Sequence, residues 1–204
     1  MIVARKTIFV LFLTSFFFAF TGNLTAETLP PEKAVKGLLD QIKQIKKGDD
    51  LTPEQAKKNN ILSDKAINFL NIPFVGKKAL GKYWKKRSAE GQKAFLELLK
   101  GLFIHVAFAN SAKFFKELEL NFGETKITGK KAIVPLVVIH EDEGEVSIDF
   151  ILAQNSDDWL VVDVILDEIS MRNNLRSQFY KIIKKESFQE LARRMEVKLK
   201  EAKD

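Results

Sequence analysis

Apolar residues recur at two different spacings along this 204-residue chain, and the change of spacing divides it into blocks. Over residues 31–46, Val35, Leu38, Leu39, Ile42 and Ile45 return every three or four positions with lysines between them, the stripe of an amphipathic helix. Gly48-Asp49-Asp50 breaks it. Thr52-Pro53-Glu54 then reads as an N-cap with proline at the first helical position, opening a short polar helix that Asn59-Asn60 should end. A further helix starts at Asp64 and carries Ile67, Phe69 and Leu70, after which Asn71-Ile72-Pro73 resets the chain. Ser88 caps the next helix, 89 to about 108, with Phe95, Leu98, Leu99, Leu102, Phe103 and Val106 on one stripe. Apart from the N-terminal run it is the most apolar segment.

After Phe114-Phe115 the period drops from 3.6 to 2, which predicts strands over 118–128, 131–140, 145–154 and 159–166. Thr128-Gly129-Lys130, Asp142-Glu143-Gly144 and Asn155-Ser156-Asp157 separate them as turns. Connections this short make antiparallel neighbours, so the four strands form a meander. Val146, Ile148, Phe150 and Leu152 alternate with polar neighbours, whereas residues 160–166 are apolar on both faces except for Asp163. Two helices close the chain. Ser170 caps one with Met171, Leu175, Phe179, Ile182 and Ile183; Ser187 with Glu190 predicts a capping box for the other. The fold class is therefore α+β: a four-stranded antiparallel meander wrapped by N- and C-terminal helices.

The first residues change the picture of where the protein works. Arg5 and Lys6 precede an uncharged run from Thr7 to Phe20, followed by Thr21-Gly22-Asn23 and an acidic, proline-rich stretch. That is the layout of a cleaved secretory signal over residues 1–26, shorter than a membrane span of about twenty apolar residues. An uncleaved anchor is the alternative. Removing it leaves 204 less 26, or 178 residues, one domain over 27–204 with room for a core, and lowers the formal charge of +6 by the two signal cations. A mild basic excess suits anionic membrane surfaces as well as nucleic acid, and export argues against the latter. Zero cysteines remove disulfides, thiolate metal sites and thiol catalysis.

Candidate chemistry is sparse. His105 and His140 lie in an apolar helix and at a strand end with no second ligand at metal spacing, so half-buried, hydrogen-bonded histidines are the expectation. Asp149 and Asp163 on adjacent strands, with Tyr83 as proton donor, could build the acid-base pair of a cavity isomerase; a solvated Asp149 and a structural Asp163 are the plainer reading. There is no phosphate-cradling glycine loop or serine elbow. No cofactor or metal is expected. Lys77, Lys78, Lys82, Lys85, Lys86 and Arg87 crowd one stretch beside Tyr83 and Trp84, a solvated face or a contact with lipid headgroups or an acidic partner.

Two stretches resemble the periplasmic MlaC family, auxiliary proteins of a phospholipid-transporting ABC system, also called toluene-tolerance auxiliary proteins. Pro73-Phe74-Val75, Leu80-Gly81-Lys82-Tyr83-Trp84, Ser88-Ala89-Glu90 and Phe95 resemble its LGxYW segment, Ser/Thr-x-Glu cap and following phenylalanine. Trp159 to Val164, Ile169-Ser170 and Asn174-Leu175-Arg176-Ser177-Gln178-Phe179 resemble its W-x-V-x-D-V strand and N-Y-R-S-Q-F helix. Leu175 stands where the family has Tyr, Glu168 where Gly is common, and Phe150 where an aromatic hydroxyl is frequent. The resemblance implies a phospholipid carrier that is not an enzyme, its sheet and helices wrapped around an apolar cavity. Its implied partners are an outer-membrane lipid-extracting complex and an inner-membrane lipid-binding ring of the ABC transporter, with transient membrane-surface contact and no nucleic acid. A hopanoid or other polycyclic lipid is the alternative cargo. On the carrier reading the tail-lining residues are Phe74, Leu80, Trp84, Phe95, Leu99, Phe103, Leu136, Val138, Ile148, Phe150, Val162 and Val164, with Lys77, Lys78 and Lys82 touching headgroup or partner.

Overall fold

The strict alternation of strand β3 (Lys131–His140) organises the sheet: Ala132, Val134, Leu136 and Val138 are buried, while the residues between them are half-buried or exposed. The computed structural model describes residues 30–48, 50–116, 118–140, 144–156 and 158–203; the expected signal and its cleavage point lie outside them. β3 pairs antiparallel with β4 (Gly144–Asn155), and β4 with β5 (Asp158–Leu166), so the central meander is as predicted. The sheet has six strands rather than four. The first expected strand is divided into β1 (Leu120–Phe122) and β2 (Lys126–Thr128), which both pair with the same edge of β3, and β6 (Ile169–Ser170) is added beyond β5. Pro135 explains the division. It has no N–H to give, its carbonyl accepts from Gly123 N–H at 2.9 Å, and the partner strand breaks opposite it.

A bulge between Ile151 and Leu152 shifts the β4–β5 register, leaving Val162 as the extra residue between Val161 and Asp163. That is why three consecutive residues of β5, Val161, Val162 and Asp163, are buried where simple alternation would expose one. The far edge of β5 is covered in part by Leu70 and Asn71, whose N–H donates to Val161 O at 2.9 Å.

Helix α1 (Pro31–Lys43) lays Val35, Leu38, Leu39 and Ile42 towards β3 and β5. α2 (Pro53–Ala66) is a single helix that runs through Asn59-Asn60. The Asn59 side chain reaches across to Lys46, accepting from its N–H and donating to its carbonyl at 2.9 and 2.7 Å, so it does not compete with its own helix. α2 opens on a capping box between Thr52 and Gln55. α3 (Ile72–Leu80) is capped by Asn71 and α4 (Ala89–Leu102) by Ser88. After α4 the chain passes through a π-helical turn, Phe103–Ala107, into α5 (Phe108–Phe115), lengthening the apolar helix beyond its predicted end. α6 (Met171–Lys185) and α7 (Phe188–Glu201) carry the expected Ser170 and Ser187 caps. The second is half a capping box, because Glu190 turns to Arg193 and Arg194 at 2.7 Å, and these hydrogen bonds lower its carboxyl to about 2.

Candidate functional site

The Leu80-Gly81-Lys82-Tyr83-Trp84 segment folds into a tight corner against α6. Leu80 is wholly buried, and Gly81 takes φ +49°, a conformation that disfavours any side chain. A Cβ at Gly81 would also collide with the Tyr180 hydroxyl and press on the Arg176 guanidinium. Space and torsion both demand glycine. The Tyr180 hydroxyl accepts from Lys82 N–H at 2.9 Å, and its ring meets Tyr83 edge-on at 4.9 Å. Lys82 and Arg176 lie over the Tyr180 ring at 5.6 and 5.1 Å, with Lys86 over Tyr83 at 5.8 Å. Next along the chain, Ser88 Oγ accepts from Gly91 N–H at 3.2 Å. The neighbouring Glu90 carboxyl is held below its ordinary range by its own backbone N–H first and by the Ser88 hydroxyl second.

Asp163 staples the β5–β6–α6 corner. Its Oδ1 accepts from Val164 N–H and Arg172 N–H at 2.9 and 3.0 Å, and its Oδ2 from Ser170 Oγ at 2.7 Å, with the Arg172 guanidinium at 3.3 Å. Asp149 is half-exposed and faces Pro135 and Ile165 across the sheet, while Tyr83 is engaged with Tyr180. The three members of the isomerase reading thus have separate partners. Asp163 is the structural residue of the plainer alternative. His105 sits half-buried in the π turn; burial pushes its imidazole down, Lys203 adds to this and Asp64 opposes it. His140 ends β3.

Between α3, the start of α6 and the outward face of β4 and β5 lies an open groove of about 530 Å³. Its apolar lining is Phe74, Ile151, Leu152, Ala153 and Val162, the last delivered by the bulge. Its charged lining among the described residues is Lys78, Lys130, Lys131, Arg172 and Arg176, with no carboxylate. Phe74, Val162 and Lys78, expected on separate grounds, come together here. Lys77 and Lys82 are exposed nearby in sequence but are not part of that lining. Nothing in the sequence places Arg172, Arg176, Lys130 and Lys131 in a site with Lys78, although Arg176 lies in the family-like helix motif, since only the β2–β3 turn and the β5–α6 corner bring them there.

Leu80, Phe95, Leu99, Leu136, Val138, Ile148 and Phe150 meet in one buried core, with Trp84, Phe103 and Val164 half-buried against it. Further half-buried apolar residues pack against the same core: Leu98, Leu102, Phe103 and Ile104 on the helix, Leu120 and Phe122 on β1, and Val164 and Leu166 on β5. The continuous helix Ala89–Phe115 is long and apolar enough to cross a membrane by length and composition, yet 17% of its most apolar stretch is buried. One side of it is packed closely: a Cβ at Gly101 would strike Leu199 of α7. The rest is an apolar surface that protein covers incompletely.

A family model described as MlaC protein matches residues 32–197. No curated protein matches the chain. Among solved structures it is similar to a phospholipid-binding protein from Ralstonia solanacearum determined in complex with a phospholipid, with a TM-score of 0.70 and 17% sequence identity, over 86% of this chain and 100% of that one. At that identity the likeness is one of fold.

Proposed function

The chain belongs to the MlaC family, and we propose that it carries a phospholipid by its acyl tails between the two membranes of the cell envelope. The observation that carries this reading is the helix Ala89–Phe115, whose apolar stretch is for the most part half-buried rather than buried. Uncovered apolar surface costs about 25 cal/mol per Å², so a helix of this composition calls for something that hides it. Acyl chains do so. Two tails hold about thirty methylenes, and at ~0.8 kcal/mol each their exposure to water would cost more than ~20 kcal/mol, so a lipid crossing an aqueous compartment needs a carrier. The half-buried Leu98, Leu102, Phe103, Ile104, Val164 and Leu166 would take the tails.

On this reading residues 1–26 direct export and are removed, the protein works in the periplasm as one domain, and recognition rests on tails rather than headgroup. Tails pass from one apolar surrounding to another, so transfer is nearly balanced and direction is imposed by an outer-membrane lipid-extracting complex and the inner-membrane ring of an ABC transporter. The exposed Lys77 and Lys82 are available to such partners or to a membrane surface. Native mass spectrometry of the mature protein purified from its cell envelope, with lipid analysis of the extract, tests the proposal. One phospholipid per chain, mixed in headgroup, is expected; a clean apo mass that takes up no added lipid would sink it, and a bound polycyclic lipid would replace the cargo.

A further inference from the structure

We propose that the groove between α3, the start of α6 and the outward face of β4–β5 is a second binding site, for an anionic amphiphile with a single acyl chain. Charge sets the sign of the head. Among the described residues five cations line the groove and no carboxylate does. Arg172 alone has a carboxylate partner, Asp163; Lys78, Lys130, Lys131 and Arg176 have no ion pair among the described residues. Like charges gathered around one concave space repel each other, and an anion placed between them relieves that repulsion.

The floor sets the nature of the rest. Phe74, Ile151, Ala153 and Val162 put apolar surface beneath the cations, where an inorganic anion would gain nothing from it. Ile151 and Ala153 lie on the opposite face of β4 from the buried Ile148 and Phe150, while the core residue Leu152 also borders the groove, so the floor is mainly the outward face of the sheet. Size sets the number of chains. At roughly the 30 Å³ share of a liquid water per methylene, one tail of about fifteen methylenes fills ~450 Å³ and two fill ~900 Å³. The groove offers about 530 Å³, room for one tail. A fatty acid and a lysophospholipid share the required chemistry.

The site shares Phe74 and Val162 with the tail-lining set of the carrier reading, but most of its floor lies on the outward face of the sheet, so the two are tested apart. Calorimetric titration of the mature protein, still holding whatever it carries, with myristate and with myristoyl-lysophosphatidylglycerol below their micellar concentrations tests it. The stronger of the two probes identifies the head as carboxylate or phosphate. In Lys131→Gln/Arg176→Gln, changed at two exposed side chains, the dissociation constant is expected to rise about thirtyfold, as for loss of two cations beside an anion. The retained cargo, followed by native mass spectrometry, is expected to be unchanged. Unaltered affinity in the double variant would overturn the site, as would displacement of the retained cargo by either probe, which would make the groove part of one shared pocket.

Discussion

Glu168 holds φ +67° and its neighbour Asp167 φ +42°, in the two-residue link where Leu166 of β5 faces Ile169 of β6. A hairpin link with both central residues at positive φ is the form that favours Asp-Gly, and the family pattern that this chain resembles commonly has Gly at the second position. Asp167 is at ease there, since its carboxylate accepts from Ser147 N–H at 3.2 Å. Glu168 has no such compensation and carries the cost of a left-handed L-residue, ~1–2 kcal/mol, part of which glycine returns through its freer unfolded chain. Glu168→Gly is therefore expected to stabilise the protein by about 0.5–1 kcal/mol, seen as a higher urea midpoint at unchanged slope; a lower midpoint would count against the strain. At this scale the sequence spoke where a side chain's role is local. The Ser88, Ser170 and Ser187 caps were legible because a cap and its helix lie within three residues of each other. Tyr180 was not, because its hydroxyl serves Lys82 N–H, which is 98 positions away.

The elements were legible wherever the hydrophobic period ran undisturbed, as in α1 and in β3 to β5. They were misread where one residue altered the backbone pairing: Pro135 dividing the first strand, Val162 bulging the last, Asn59 spending its amide on Lys46 instead of ending α2. The π turn Phe103–Ala107 is a fourth case, and it lies in the helix on which the carrier reading depends. Phe103 is half-buried there, so an aspartate is tolerable to the fold and costly to an apolar ligand. Phe103→Asp should abolish lipid retention and Lys85→Ala, on the exposed basic turn, should not; equal retention by both would remove this helix from the lipid site. The same turn holds His105, whose imidazole is pushed below its ordinary 6.5 by burial and then by Lys203, against the pull of Asp64. The folded state thus binds the proton less readily than the unfolded one. Stability from this group is present above 6.5 and is lost as pH falls from 6.5 through the lower folded value. His105→Gln should flatten the fall in denaturation midpoint between about pH 8 and 5; an unchanged slope would assign the fall to other groups.

For the whole molecule the decisive arrangement is one that no local window contains. Half-buried apolar residues of α4 and the π turn and the strand residues Leu120, Phe122, Val164 and Leu166 all pack against the one core, and the basic groove joins α3 to residues from β2–β3 and α6. Each strip alone looked like ordinary core or ordinary solvated surface. Folding leaves the first half-covered, and this has a thermodynamic consequence. A carrier whose half-buried apolar residues are covered by its cargo is stabilised by that cargo through mass action, by ~4 kcal/mol when free ligand exceeds the dissociation constant a thousandfold. For a domain of this size each kcal/mol moves the midpoint by about 2–4 °C, so stripping the lipid should lower the melting temperature by roughly 10 °C. Adding a diacyl phospholipid should restore it, and phospholipids with different headgroups should restore it alike, because these residues meet tails and not heads. If delipidated and native protein melt together, they are an ordinary part of a packed fold. If restoration follows the headgroup, the cations rather than the half-buried apolar residues choose the cargo.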